Sequence, residues 1–576
     1  MFSRNYFLLA VIAITIMVTS CGKKAPTQAK YIPKDASLVL VFNPATLEEK
    51  LKEGKLSYDS IANVFADEFN ADSAAKNEWN EFKESGINLN DNLYFFQQQK
   101  GGSLTNPSSA FCLMASIKDA SKFDTYIQTK AKKDNKTISK ETNCSYVKLD
   151  GNNAVTWNKD VVMLTVYTPS YKASFDSVGN YVMPNEEENA KQLKEMALSY
   201  YSLKEVEQVT SVDVFNNMFK EKADMYMFGG TGSTLAMLSA TPLNIPKLQE
   251  LLKDNYSAST LNFDNGKIVA TSVSHTNPML SSILKKYAGP TVNTSFMEGF
   301  PSQNVNGFIL ASFNPELFDG LLKELEVKGM LEGVLAQQGL TSADIFKSIK
   351  GDINVGMADF TLASKEVSYP MGNGKNYTYT TEVPSAKLIV SAPIADKNAF
   401  EKLMNKAAEN NLVVKRGEAY VGGDLVKSSG LFILATAKEL VIASDSATYA
   451  AYTAGGSKSN ISSNIVSELK GKSTGGYVNI ASILNGLTPT IKDEMGKKVL
   501  AALQATFKEA VFTSDNFNDG KVSSNMYVSM ANDKENSAVS IARLIINIYN
   551  TIKEQKKNAI PAEGYPLSDS TTVPTK

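Results

Sequence analysis

Ser37-Leu38-Val39-Leu40-Val41-Phe42-Asn43-Pro44 is the phrase from which the fold can be read, because it returns later in the chain. Its apolar, β-branched run suits a buried strand. Asn43-Pro44 breaks the strand, and Thr46-Leu47-Glu48-Glu49-Lys50-Leu51 starts a helix. Proline is tolerated there because the first turn of a helix leaves its N–H groups unpaired. Near 306 the phrase recurs as Asn306-Gly307-Phe308-Ile309-Leu310-Ala311-Ser312-Phe313, followed by Asn314-Pro315 and by Leu317, Phe318, Leu321 and Leu322.

A second echo is longer. Ser109-Ala110-Phe111-Cys112-Leu113-Met114-Ala115-Ser116 leads to Asp119, Phe123 and Ile127. Ser385-Ala386-Lys387-Leu388-Ile389-Val390-Ser391-Ala392 leads to Asp396, Phe400 and Leu403. Each reads as a strand, a turn and an amphipathic helix whose Asp accepts orphan amide hydrogens at the N-cap. Tyr146-Val147 and Val161 to Val166 then match Tyr420-Val421 and Leu440 to Ala443. Asn265-Gly266-Lys267 matches Asp519-Gly520-Lys521, both hairpin signals because these residues tolerate positive φ.

Four echoes in one order predict an α+β fold of two tandem repeated units, 31–290 and 300–533, each a mainly antiparallel sheet with packed helices. The alternative is a strand-turn-helix phrase reused inside one compact domain. Gly289-Pro290 and Gly299-Phe300-Pro301 mark the boundary. Residues 365–384 read as a long hairpin or loop, and 186–222 as a helical insertion. Residues 536–557 read as a C-terminal helix with Val539, Leu544, Ile545 and Ile548 on one side, and 559–576 as a disordered tail.

At the other end, Arg4 precedes the apolar run Tyr6 to Val18, too short to span a bilayer comfortably. Val18-Thr19-Ser20-Cys21 resembles the lipobox of bacterial lipoproteins. The resemblance implies a signal peptide over 1–20 and diacylglycerol on the Cys21 sulfur, with 21–30 as a short tether. Buried acyl chains hold at about 0.8 kcal/mol per CH₂. A plain secretory signal or an uncleaved helix is the alternative. Lys23 and Lys24 stand where surface-exported lipoproteins of Bacteroidota often carry acids, which favours the periplasmic face.

The 576 residues are 43% hydrophobic and 21% charged, enough to bury proper cores. A net charge of −1 argues against nucleic acid as a partner. With Cys21 lipidated, Cys112 and Cys144 remain, either as a disulfide or as two buried thiols. The single histidine, His275, removes any multi-histidine zinc site and reads as a solvated or capping residue. Gly471-Lys472-Ser473-Thr474 fails as a phosphate loop, since Val466 stands where glycine is needed and 463–470 reads as helix. Gly229-Gly230-Thr231-Gly232-Ser233 follows a strand, but Leu235 breaks the dinucleotide spacing, leaving a plain turn. No catalytic residues, cofactor or metal are expected. Asp59-Ser60-Ile61, Asp72-Ser73-Ala74, Asp176-Ser177-Val178, Asp445-Ser446-Ala447 and Asp569-Ser570-Thr571 resemble O-glycosylation sequons of Bacteroidota.

The lipobox, Ile32-Pro33-Lys34-Asp35-Ala36 and the Phe-Asn-Pro strand exit together resemble a family of large, uncharacterised lipoproteins of Bacteroidota, a domain of unknown function. The resemblance implies no activity and carries over no functional residue. The expectation is an outer-membrane lipoprotein, tied to the membrane through Cys21 and mostly facing the periplasm. It would bind or scaffold an envelope protein or ligand, with a pocket near 290–300. A surface binder of glycan or host polymer is the alternative, and a carboxylate-dependent envelope hydrolase stands further behind.

Overall fold

The computed structural model describes residues 25–559 apart from 67–73, 104–105, 171–173, 176–180, 183–185, 232–244, 298, 372–374 and 457–458. The lipobox and the C-terminal tail therefore lie outside the described residues. The fold is α+β, built on one large antiparallel sheet.

The first half contributes β1 (Leu38–Phe42), β2 (Leu93–Ser103), β3 (Asn106–Ser116), β4 (Ile138–Lys140), β5 (Ser145–Lys148), β6 (Asn153–Trp157), β7 (Val161–Thr168), β8 (Met225–Gly230), β9 (Tyr256–Asp264) and β10 (Lys267–His275). The second half contributes β11 (Val305–Ser312), β12 (Asp352–Met371), β13 (Lys375–Pro393), β14 (Val413–Arg416), β15 (Ala419–Gly422), β16 (Phe432–Ala435), β17 (Glu439–Ala443), β18 (Thr474–Val478), β19 (Phe507–Ser514) and β20 (Lys521–Met530).

Pairing runs β4-β5-β6-β7-β3-β2-β1-β8-β9-β10 and continues β20-β19-β18-β11-β12-β13-β17-β16-β15-β14. The second half thus repeats the order of the first in reverse, and each echo read from the sequence falls on equivalent strands. The halves meet where Lys267–His275 pairs antiparallel with Lys521–Ser529, with Thr271 opposite Asn525 at the centre. An antiparallel ladder is itself two-fold symmetric, so equivalent strands join there without a gap in hydrogen bonding. The two expected units are therefore halves of one continuous sheet rather than separate sheets.

Helices repeat too. α1 (Pro44–Glu53) follows β1, and Asn43 caps it by accepting from Thr46 N at 3.4 Å. α2 (Ala120–Lys133) follows β3, capped by Asp119. α3 (Glu186–Ser199) opens the helical stretch expected at 186–222. α4 (Lys397–Glu409) follows β13, capped by Asp396 through Asn398 N and Ala399 N. α5 (Ser537–Ala559) closes the described chain.

One face of the sheet carries the two main cores. Val39, Val41, Phe96, Cys112, Met163 and Phe228 pack with Leu193, Tyr200 and Phe215 in the first half. Phe308, Leu310, Ile389 and Val441 pack with Phe296, Phe300, Ile465 and Leu469 in the second. The opposite face is covered at its outer strands, where Phe123 and Ile127 of α2 bury Val147 and Trp157, and where Phe400 of α4 buries Tyr420 and Ala435.

Three expectations are corrected. The tether ends before Lys30, because Thr27–Tyr31 forms a 3₁₀ turn with Ala29 fully buried. Gln28 Nε2 donates to Asp91 Oδ2 at 3.1 Å, and Tyr31 Oη donates to Asp160 Oδ2 at 3.1 Å. The boundary residues Val292, Phe296, Met297 and Phe300 are core of the second half, so that half begins before the expected 300. In α5, Val539, Ala542 and Leu544 are buried while Ile545 is 48% exposed, so Ile545 leaves the buried stripe.

Candidate functional site

On the face opposite the main cores, cross-strand pairing aligns Leu164, Leu113, Phe95, Leu40 and Met227 in one row over five adjacent strands. Val166, Phe111, Gln97 and Leu38 form the next row. Alternation puts both rows on one face. Leu113 is 51% exposed, Met227 46% and Val166 37%, and Phe95 stacks on Phe111 at 6.4 Å. Across the seam the first row turns polar: Ser259, Ser272, Ser524 and Ser514 succeed Met227. Ser259 Oγ donates to Ser272 Oγ at 2.9 Å, and the Ser514 and Ser524 hydroxyls lie 3.0 Å apart. Beyond the seam the same face carries Met526 and Ile309, both about half exposed. Contiguous exposed apolar side chains on a folded chain are candidates for an interaction surface.

A second feature is the hairpin made by β12 and β13. Thr361 to Met371 pairs with Lys375 to Ser385, past Val305, the first residue of β11. Of the hairpin or loop expected at 365–384, it is the hairpin that forms. Tyr369 is opposite Tyr377, and Val367 is opposite Tyr379, so one face collects three tyrosines. Their exposures are 55, 58 and 40%, and Tyr369 and Tyr379 stack at 6.0 Å with planes 10° apart.

The expected pocket near 290–300 is instead filled. Phe296 and Phe300 meet edge to face at 5.7 Å, and Gly356 is small so that Phe300 can lie against its strand. A cavity of about 290 Å³ lies instead at the root of the N-terminal segment, between Gln28, Tyr31, Asp91, Ser116 and Asp160.

Cys112 and Cys144 are separate buried thiols, which corrects the disulfide alternative. Cys112 lies in β3, and Cys144 immediately precedes β5, which sits three strand steps away. That is about 14 Å at ordinary strand spacing, beyond disulfide reach. Burial pushes the Cys112 thiol up to about 12 and the Cys144 thiol up to about 11. Both are protonated and inert near neutral pH.

His275 ends β10, opposite Tyr256 and Lys521. Burial first, and the Lys521 ammonium second, hold its imidazole below the ordinary range. Lys472 pairs with Asp515 at 2.6 Å, and Ser473 Oγ donates to Ser514 O and Asp515 O, so the rejected phosphate loop is a strand entry. Gly229 and Gly230 are the end of β8 rather than turn residues. Asp445 of the fourth sequon caps a helix through Thr448 N at 2.7 Å. Ser60 of the first lies in the helix Tyr58–Ala66, its hydroxyl donating to Ser57 O. The other three sequons fall wholly or partly outside the described residues.

One polar cluster has no sequence signal. Lys50 Nζ meets Asp224 Oδ2 at 2.5 Å, with the Asp224 side chain 2% exposed. Asp224 also accepts from Phe263 N at 2.7 Å. The nearby Tyr58 phenol is pushed up to about 12, by burial first and then by Glu48 and Asp224. The pair joins α1 to the residue that leads into β8, and through the Phe263 amide to β9, segments far apart in sequence. Among the described residues no group of three or more His, Cys, Asp and Glu is placed to hold a metal ion. No described helix is long and apolar enough to cross a membrane.

The sequence profile described as "Domain of unknown function (DUF4836)" matches residues 29–426. The chain belongs to that family. The DUF4836 match begins at the buried Ala29, spans the first half of the sheet and ends within the helix Asp424–Ser428 of the second. It includes the apolar rows and the tyrosine hairpin. No curated protein matches the chain. Crystal forms I, III and IV of TP0453 align with this DUF4836 chain at 10% identity and a TM-score of 0.20. They cover 45–47% of it and 85–88% of TP0453, a likeness too low to carry a structural argument.

Proposed function

We propose that this chain is an outer-membrane lipoprotein of a Bacteroidota-type envelope, anchored by lipid on Cys21, that binds or scaffolds a partner rather than catalysing a reaction. The address rests on the apolar run Tyr6 to Val18 and on Val18-Thr19-Ser20-Cys21. Six residues, 22–27, separate Cys21 from the pinned Gln28. Extended chain of that length reaches about 25 Å, so the folded body would sit close to the bilayer. Lys23 and Lys24 favour the periplasmic face. The matching strand orders, with the sequence echoes on equivalent strands, support an internal duplication as the origin of the fold.

The observation that carries the binding role is the exposed apolar surface around Leu113 and Met227. An envelope protein with an apolar contact face is the partner this chemistry fits. Two measurements test the reading. Metabolic labelling with an alkyne fatty acid should mark the chain and be lost in Cys21→Ala. A photo-crosslinking residue at Leu113 or Met227 should give a discrete adduct in cells, while one at exposed Asp150 should not. An unlabelled wild-type chain would refute the anchor, and equal adducts at all three positions would refute the binding face. Protease shaving of intact cells separates the periplasmic placement from a surface-exposed glycan or polymer binder.

A further inference from the structure

The β12–β13 hairpin has both faces in solvent over most of its length, from Ser364 to Pro370 and from Asn376 to Pro384. A two-stranded ribbon that packs on nothing is marginally stable in water. Its faces differ in chemistry. Tyr369, Tyr377 and Tyr379 share one face with Val367, Val383 and Lys365. The opposite face carries Glu366 and Glu382, with Ser364, Ser368, Thr378 and Thr380. Both acids are thus turned away from the aromatic face, which keeps a cation. Pro370 and Pro384 carry no backbone N–H, and proline disfavours the pairing of a further strand. Recognition therefore belongs to the face and not the edge.

We propose that this tyrosine face rests on an anionic lipid surface, a second contact with the bilayer that holds the chain. This deepens the proposed function and rests on its envelope address. Tyrosine prefers the headgroup level of a bilayer, where its ring is in the apolar zone and its hydroxyl stays wet. Lysine beside it is drawn to anionic headgroups. Length agrees as well: the eight paired residues from Ser364 to Met371 extend about 26 Å, comparable with the reach of the tether. With the chain already held by its N-terminus, a weak second contact acts at high effective concentration.

The test uses the mature, unacylated chain, Cys21→Ser, so that lipid on the cysteine plays no part. It is floated with vesicles of phosphatidylethanolamine and phosphatidylglycerol, and separately with phosphatidylcholine alone. Flotation is expected with the anionic vesicles and should weaken as salt rises. Tyr369→Ser, Tyr377→Ser and Tyr379→Ser together should weaken it about tenfold. Lys365→Glu should weaken it on anionic vesicles, while Glu366→Gln with Glu382→Gln should leave it intact. Because the hairpin stands outside the cores, the thermal midpoint of each variant should match the parent. The proposal is overturned if the folded chain does not float with anionic vesicles, or if the triple variant floats as well as the parent. Binding of the tyrosine face to soluble polysaccharide in place of vesicles would also overturn it. A failure of fatty-acid labelling at Cys21 would remove the anchor but would not alter these outcomes.

Discussion

His275 shows how a conspicuous residue acquires an ordinary role. As the only histidine it invites a catalytic reading, yet it faces Tyr256 and Lys521 in the central ladder. Its imidazole is held below the ordinary 6.5 by burial and by Lys521. A histidine whose folded pKa is depressed binds fewer protons when folded than when unfolded. Its contribution is therefore present in full above 6.5 and is lost as pH falls below 6.5 toward the lower folded value. Denaturant unfolding of the wild type should show stability falling across that window. His275→Gln should remove that component and leave the carboxylate-driven loss at lower pH unchanged. The residue-level signals in the sequence that did hold are the caps, because a cap depends only on the residues that immediately follow it.

At the level of elements, α2 and α4 are equivalent helices with equivalent caps. Asp119 accepts from Lys122 N, and Asp396 accepts from Asn398 N and Ala399 N, at 2.9–3.0 Å. Asp119→Ala and Asp396→Ala should each cost about 1 kcal/mol. Urea unfolding of the two variants would check both size and equality; a loss near zero at either site would mean the cap is replaced by solvent. Strand register is subtler. Read letter by letter, the echo Ser109–Ser116 against Ser385–Ala392 places buried Cys112 on Leu388, which is 40% exposed. Matching the caps instead places Cys112 on Ile389, and both are fully buried. One residue of slip turns every side chain to the other face, so similar letters gave the right strand with the wrong register. The hairpin turns show the same tolerance. Asp519 and Gly520 both take positive φ, whereas only Gly266 does in Asn265-Gly266.

Across the whole molecule, the C-terminal helix ties the last residues to the first. A Cβ on Gly54, just past α1, would lie 2.2 Å from Val539 Cγ1 of α5. Arg543 adds a donor to Gly54 O at 3.3 Å and an ion pair with Glu535 at 3.0 Å. Gly54→Ala should therefore destabilise by about 1–3 kcal/mol through overpacking. Val539→Ala alone should cost a similar amount by leaving a cavity, and the double variant should lose less than the sum. A strictly additive cycle would show that the two ends do not press on each other.

The sequence by itself determined the α+β class, the strand-turn-helix phrases and the caps. Each of these depends on a run of neighbouring residues with a definite period or a breaker. Only the tertiary structure decided how the halves meet. The ladder Lys267–His275 with Lys521–Ser529 pairs residues more than two hundred positions apart, and β10 and β20 have no feature that distinguishes a seam strand from any other. It alone decided that Phe296 and Phe300 fill a core instead of lining a pocket, that Cys112 and Cys144 stand three strands apart, and that Leu113 and Met227 stay uncovered. Alternation says that a strand has two faces. Which face is buried depends on what else packs there, and that is set by contacts no local stretch of sequence contains.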